Sequence, residues 1–192
     1  MLLDRFLKYV KIDTKSDENS NTTPSSKNQF DLLRLLEEEL KALGVECELT
    51  ETGRLYGFVP GNNKYEAVGL CAHVDTAPDF SGTDVKPNVI KKYNGSDLKL
   101  GKTDRVLSSK EYPKLKRAIG KTLITTDGTT LLGADDKAGV AIIMEIVEAM
   151  LKLNLYERRP MYVLFTPDEE IGRGAEIFDT NKFKATFAYT FD

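Results

Sequence analysis

The chain has 192 residues, 41% of them hydrophobic and 30% charged, with a net charge of -3. That length is enough for one domain with its own core, and the composition is that of a globular protein. With 27 basic residues against 30 acidic ones, no basic excess points to nucleic acid or to an anionic membrane surface. No apolar run approaches the roughly 20 residues of a membrane span. The opening MLLDRFLKYVKID is charged throughout, unlike a secretory signal, so the cytoplasm is the default compartment. Cys47 and Cys71 stand in strand-like apolar contexts and read as buried free thiols.

Leu3, Phe6, Leu7 and Val10 fall on one helical face and predict a helix at the start of the chain. The polar run TKSDENSNTTPSSKNQ reads as an exposed loop whose Ser and Asn residues can cap the next helix. Phe30, Leu33, Leu36, Leu40 and Leu43 predict that second helix over about 29–43, stopped by Gly44. VECELTE alternates like a half-buried strand, with LYGFVPG as its hairpin partner. AVGLCAHVD is continuously apolar, as a central buried strand is. From Thr76 to Thr130 prolines and glycines break the pattern into short strands and loops, and KTLITTDGTTLLG reads as two strands about Asp127-Gly128.

A third helix comes next, with Val140, Ile143, Val147, Met150 and Leu151 as its buried stripe. Its start, LLGADDKAGV, places Asp135 as a cap and Asp136 in the positive first turn. MYVLFTPDEE is a buried strand ending in acids, EIGRGAEIF a short helix, and ATFAYTFD a last strand. Strand and helix alternate, which predicts an α/β layered domain with a mixed, mostly parallel sheet flanked by helices.

Three predicted buried strands thus end in CAHVD, FTPDEE and TFD. One strand ending in Asp means little, because Asp commonly begins a turn. Several such ends converging are different, since ligands bind at the C-terminal ends of strands in open α/β sheets. Buried carboxylates without a cation are costly, and a divalent metal is the natural partner. His73, the single histidine, supplies a nitrogen suited to zinc. Asp75 lies two residues on, on the same strand face, where it can accept the other imidazole N–H. The plainer reading is a satisfied core histidine. Glu169 and Glu170 diverge as neighbours do, so one can bind metal while the other acts on a water; equally, both can be first-turn acids. There is no GxGxxG and no P-loop.

AHVDTAPDFSG, TLITTDGTTLLGADDKAGVA and LFTPDEEIGRGA resemble the tripeptide aminopeptidase (peptidase T) branch of the dinuclear-zinc M20 metallopeptidases, in that family's order and spacing. The FAYTFD ending matches too. The resemblance covers the whole chain but only the first part of the family's usual length. It implies a zinc-exopeptidase-like catalytic domain, of which residues 1–192 would be the N-terminal part, without the lid domain and the C-terminal remainder. It implies His73 as a ligand of one zinc, oriented by Asp75; Asp135 as the bridge between two zincs; Glu169 as the general base; Glu170 on the second zinc; and Asp192 on the same zinc as His73. It also implies a cis peptide bond between Asp135 and Asp136, and a tripeptide as substrate. A histidine that completes the second zinc in the family has no counterpart here, so the chain alone is expected to be inactive. Dipeptide or acyl-amino-acid hydrolysis is the alternative within the family, and a non-catalytic metal-binding fragment the alternative outside it.

Overall fold

The strands that read as apolar runs lie side by side. In the computed structural model, which describes residues 1–192, β1 (Glu46–Leu49), β2 (Leu55–Val59), β3 (Val68–His73), β8 (Met161–Thr166) and β9 (Phe187–Thr190) form one sheet in the order β1-β2-β8-β3-β9. β1 and β2 are the expected antiparallel hairpin, and β2 runs antiparallel to β8. β3 is parallel to β8 on one side and to β9 on the other. The sheet is therefore mixed, and its three parallel strands end on one side.

Alternation along the strands decides which face is buried. Leu55 and Val59, Met161, Val163 and Phe165, and Leu70 and Ala72 point to one face. There they join residues of α1 (Leu2–Tyr9), α2 (Gln29–Ala42) and α3 (Ala134–Lys152) in one cluster of 22 buried side chains. α3 packs on β3, α1 on α3, and α2 on the β1–β2 hairpin. The opposite face is covered more thinly, by a chain of aromatic contacts from Phe58 through Tyr162 to Phe183, with ring centroids 4.7 and 5.8 Å apart. Two small antiparallel pairs, β4 (Asn88–Ile90) with β7 (Leu123–Thr125) and β5 (Leu98–Lys99) with β6 (Val106–Leu107), organise the irregular middle of the chain. No helix is long and apolar enough to cross a membrane.

Several local expectations change. The polar run after α1 is no simple exposed loop: Thr14, Ser16 and Ser25 are buried. Asn28 precedes α2 without a side-chain capping bond. The second half of KTLITTDGTTLLG forms no strand, because β7 takes β4 as its partner. The helix after β8 is a single 3-10 turn, Glu169–Ile171, which ends at Gly172 with φ +75. Met150 and Leu151 are only partly buried, while Ala141 and Met144 complete the α3 stripe. Cys47 and Cys71 are free but half-buried; burial pushes the Cys71 thiol up to about 11.

Candidate metal centre

Parallel strands bring their ends together, and here the ends carry the acids. His73 is the last residue of β3, level with Thr166 of β8. Glu169 lies three residues beyond Thr166. Cys71 pairs with Thr190 of β9, so Asp192, two residues further, comes level with His73. A nitrogen of His73 and carboxylate oxygens of Asp135 and Asp192 lie within 4.8 Å of one another.

His73 is 2% exposed and held from behind. Its Nδ1 lies 3.1 Å from the Asp75 backbone carbonyl and 3.3 Å from the Asp75 carboxylate, two acceptors that assign the Nδ1 proton. Nε2 therefore points into the cluster, 3.1 Å from Asp135 Oδ1 and 3.9 Å from Glu169 Oε2. Burial pulls the imidazolium down. The hydrogen bond and charge of Asp75, the charge of Asp136 and the hydrogen bond with Asp135 outweigh it and raise His73 to about 9.

Asp75 does more than orient the ring. Its two oxygens also accept the backbone N–H groups of Glu169 at 2.9 Å and Glu170 at 3.1 Å. One fully buried carboxylate thus ties the end of β3 to the turn after β8.

The two aspartates at the start of α3 divide their work differently from the sequence expectation. Asp135 does not cap the helix. Asp136 does, its Oδ1 accepting the Gly139 N–H at 2.9 Å. The bond between them is cis. Both residues have non-helical backbone angles, so the regular helix begins after Asp136. That leaves the Asp135 side chain free, 66% exposed, beside His73. Burial pushes the Asp136 carboxyl up to about 7 against the pull of His73 and of its hydrogen bonds, and its Oδ2 has no partner. Glu170 stays outside the three-residue group. Burial, together with Asp135, Asp75 and Glu169, raises its carboxyl despite the opposing charge of His73.

The donor set suits a divalent ion of the zinc class: one imidazole nitrogen with a fixed tautomer and two carboxylates at its open side. Sequence reasoning missed the residues around this set. Lys137 is buried in the first turn of α3, with Nζ donating to the Ile12 carbonyl at 2.6 Å; burial lowers it to about 8, opposed by Asp13 and Asp75. Asp168 is buried among Ser25 and Gln29. Its only signal was an extra acid before Glu169.

Comparison with known proteins finds similar features elsewhere. The model of peptidase family M20/M25/M40 matches residues 126–190, a stretch that contains Asp135, Glu169 and Glu170. The whole chain is similar to peptidase T of Staphylococcus epidermidis, 48% identical over 193 aligned residues, and to peptidase T of Desulfitobacterium hafniense, 52% identical over 194. In both cases the alignment covers 100% of this chain and 47% of the relative, so the chain spans about half the length of the curated relatives it matches. Among solved structures, the fold matches aminopeptidase PepT from Bacillus cereus at a TM-score of 0.70 and 23% identity. It matches a tripeptidase from Staphylococcus aureus at a TM-score of 0.69 and 25% identity, over 100% of this chain and 42% of that one. The chain is therefore similar, from end to end, to about half of a peptidase T, and over residues 126–190 to the M20/M25/M40 peptidase family model.

Proposed function

We propose that residues 1–192 form the N-terminal part of the catalytic domain of a cytoplasmic tripeptide aminopeptidase, whose activity resides in a polypeptide of the relatives' length. The observation that carries this reading is the convergence of His73, Asp135 and Asp192 within 4.8 Å, with Glu169 at the same imidazole. The similarity to peptidase T and to a solved tripeptidase supports the substrate class.

In this reading His73, Asp135 and Asp192 would hold one zinc, and Asp135 and Glu170 would hold a second together with a ligand from elsewhere in the polypeptide. Zinc there would polarise a peptide carbonyl and make a nearby water more acidic. Asp75 keeps the His73 proton on Nδ1, so that Nε2 presents a lone pair. Glu169, 48% exposed and anchored only through its backbone, is free to accept a proton from the attacking water at its carboxylate. The same carboxyl then returns that proton to the departing amine, which must be protonated to leave. A carboxylate beside the cluster but outside the ligand group suits that shuttle.

The test is hydrolysis of a free tripeptide by the full-length protein with added zinc, with the released residue identified. Release of the N-terminal residue is expected. Release of the C-terminal residue instead, or cleavage of dipeptides or acyl-amino acids alone, would assign another M20 reaction.

A further inference from the structure

The proposed function gives no role to the residue just before Glu169. Asp168 is fully buried, and its backbone sits at φ +58, in the left-handed region that non-glycine residues rarely occupy. Something must hold it there. The Asp168 carboxylate accepts the Ser25 backbone N–H at 2.8 Å, the Ser25 hydroxyl at 2.5 Å and the Gln29 amide at 2.7 Å. Gln29 closes the loop: its Oε1 accepts the Asp168 N–H at 3.2 Å. Gln29 is fully buried, and Ser25 is 6% exposed. These partners stand 139 to 143 residues earlier in the chain. The same turn is tied again by Arg173, whose N–H donates to the Asp168 carbonyl and whose guanidinium donates to the Ser20 carbonyl.

The arrangement is directional. A buried carboxylate is costly unless it is fully hydrogen-bonded, even with the charge of buried Arg54 nearby, and an apolar side chain would fill the same space at lower cost. What the polar set adds is a fixed orientation of the peptide that leads into Glu169. On the far side of that residue, Asp75 fixes the Glu169 and Glu170 amides. Glu169 therefore emerges from a backbone gripped on both sides, while its own side chain is half exposed and makes no hydrogen bond to an amide. A misplacement of about 1 Å at a reacting group can cost on the order of 100-fold in rate.

We propose that Asp168, held by Ser25 and Gln29, is a positioning residue that aims Glu169 at the water it deprotonates. This rests on the reading of Glu169 as the proton acceptor. The test compares wild type, Ser25→Ala, Asp168→Asn and Glu169→Gln in the full-length protein, by steady-state kinetics, zinc content and amide hydrogen exchange. Asp168→Asn should lower kcat about tenfold or more with KM and zinc content unchanged. It should speed exchange at the Glu169 and Glu170 amides while leaving Val163, in the middle of β8, protected. Ser25→Ala removes one donor and keeps the backbone N–H; it should lower kcat about threefold, and it decides the matter if Asp168→Asn does not fold. Wild-type kcat in Asp168→Asn, or in Ser25→Ala if only that variant folds, overturns the inference when Glu169→Gln is inactive. If Glu169→Gln turns over normally, the reading of Glu169 fails instead, and unchanged exchange at its amide overturns the role of Asp168 separately.

Discussion

Metal binding to this chain should expel a proton from His73. The imidazole sits between Asp75 and Asp135, and with no metal bound its affinity for a proton is raised to about 9. A metal needs the neutral ring, so proton and metal compete for Nε2. At pH 8 a group with a pKa of about 9 is roughly nine-tenths protonated, so close to one proton should leave per ion bound. At pH 7 the competition weakens apparent affinity about 100-fold relative to pH well above 9, or about 3 kcal/mol at 1.36 per unit. Working at pH 8 separates this proton from that of Asp136, whose carboxyl, at about 7, is then mostly ionised. Calorimetric titration with zinc in two buffers of different ionisation enthalpy counts the released protons directly. A count near zero at pH 8, or an affinity that stays flat from pH 7 to 9, would refute the geometry of His73 as the acceptor of the metal. The linked stability has a definite sign. The folded pKa lies above the ordinary 6.5, so the contribution of His73 to metal-free stability is complete below about 6.5 and is lost as the pH rises through about 9.

In the full-length protein, Glu169→Gln should lower turnover by about 100- to 10,000-fold with metal content unchanged, whereas Glu170→Ala should reduce metal occupancy; the reverse pattern, read by metal analysis and tripeptide hydrolysis, would exchange the two roles. Gly139→Ala should destabilise the chain by about 1–3 kcal/mol, because a Cβ there would lie 2.2 Å from Asp136 Oδ1 and 2.7 Å from the Phe191 Cβ. It should also weaken zinc binding through Asp192, the neighbour of Phe191; wild-type denaturation and titration curves would count against the packing described. Asp136→Asn keeps the acceptor for the Gly139 N–H but removes a carboxyl raised to about 7 from its ordinary 3.8. Wild-type stability from that group is present below about 3.8 and lost as the pH rises through 7, so the variant should gain on wild type over that window in urea unfolding. A difference independent of pH would remove burial as the cause of the shift.

The parts of the site that were legible in the sequence are those written locally. An apolar run of strand length that ends in His or Asp announces a strand and what stands at its end; β3 and β8 are buried as expected, whereas β9, expected buried too, is the sheet edge and is exposed at all four positions. Parallel pairing then brings such ends together. The parts that were not legible depend on distant partners or on backbone angles. Two adjacent aspartates at a helix start cannot show which one caps. That is decided by the non-helical angles at Asp135 and Asp136 and by the bare Cα of Gly139, which leaves room for the Asp136 carboxylate. The run of Ser, Thr and Asn before α2 looks solvent-exposed by composition. Ser25 is buried because its partner is a carboxylate 143 residues later, and no periodicity carries that information.

The acids at this end of the sheet divide by what satisfies them. Asp75 has two backbone amides and an imidazole, Asp136 a helix amide, and Asp168 a hydroxyl and two N–H donors. All three are buried, and each holds the backbone beside a residue that is not. Asp135, Glu169 and Asp192 are exposed, and none is paired with a lysine or arginine; their charged neighbour is His73. The protein's own N–H and O–H donors thus go to the buried carboxylates, only Asp136 Oδ2 lacking one, and the exposed carboxylates face a single oriented imidazole. In a surface cluster of solvated acids the unpaired carboxylates would spread apart to lower their repulsion. Here three successive strand and helix ends hold them at one point, which is the arrangement a divalent cation requires.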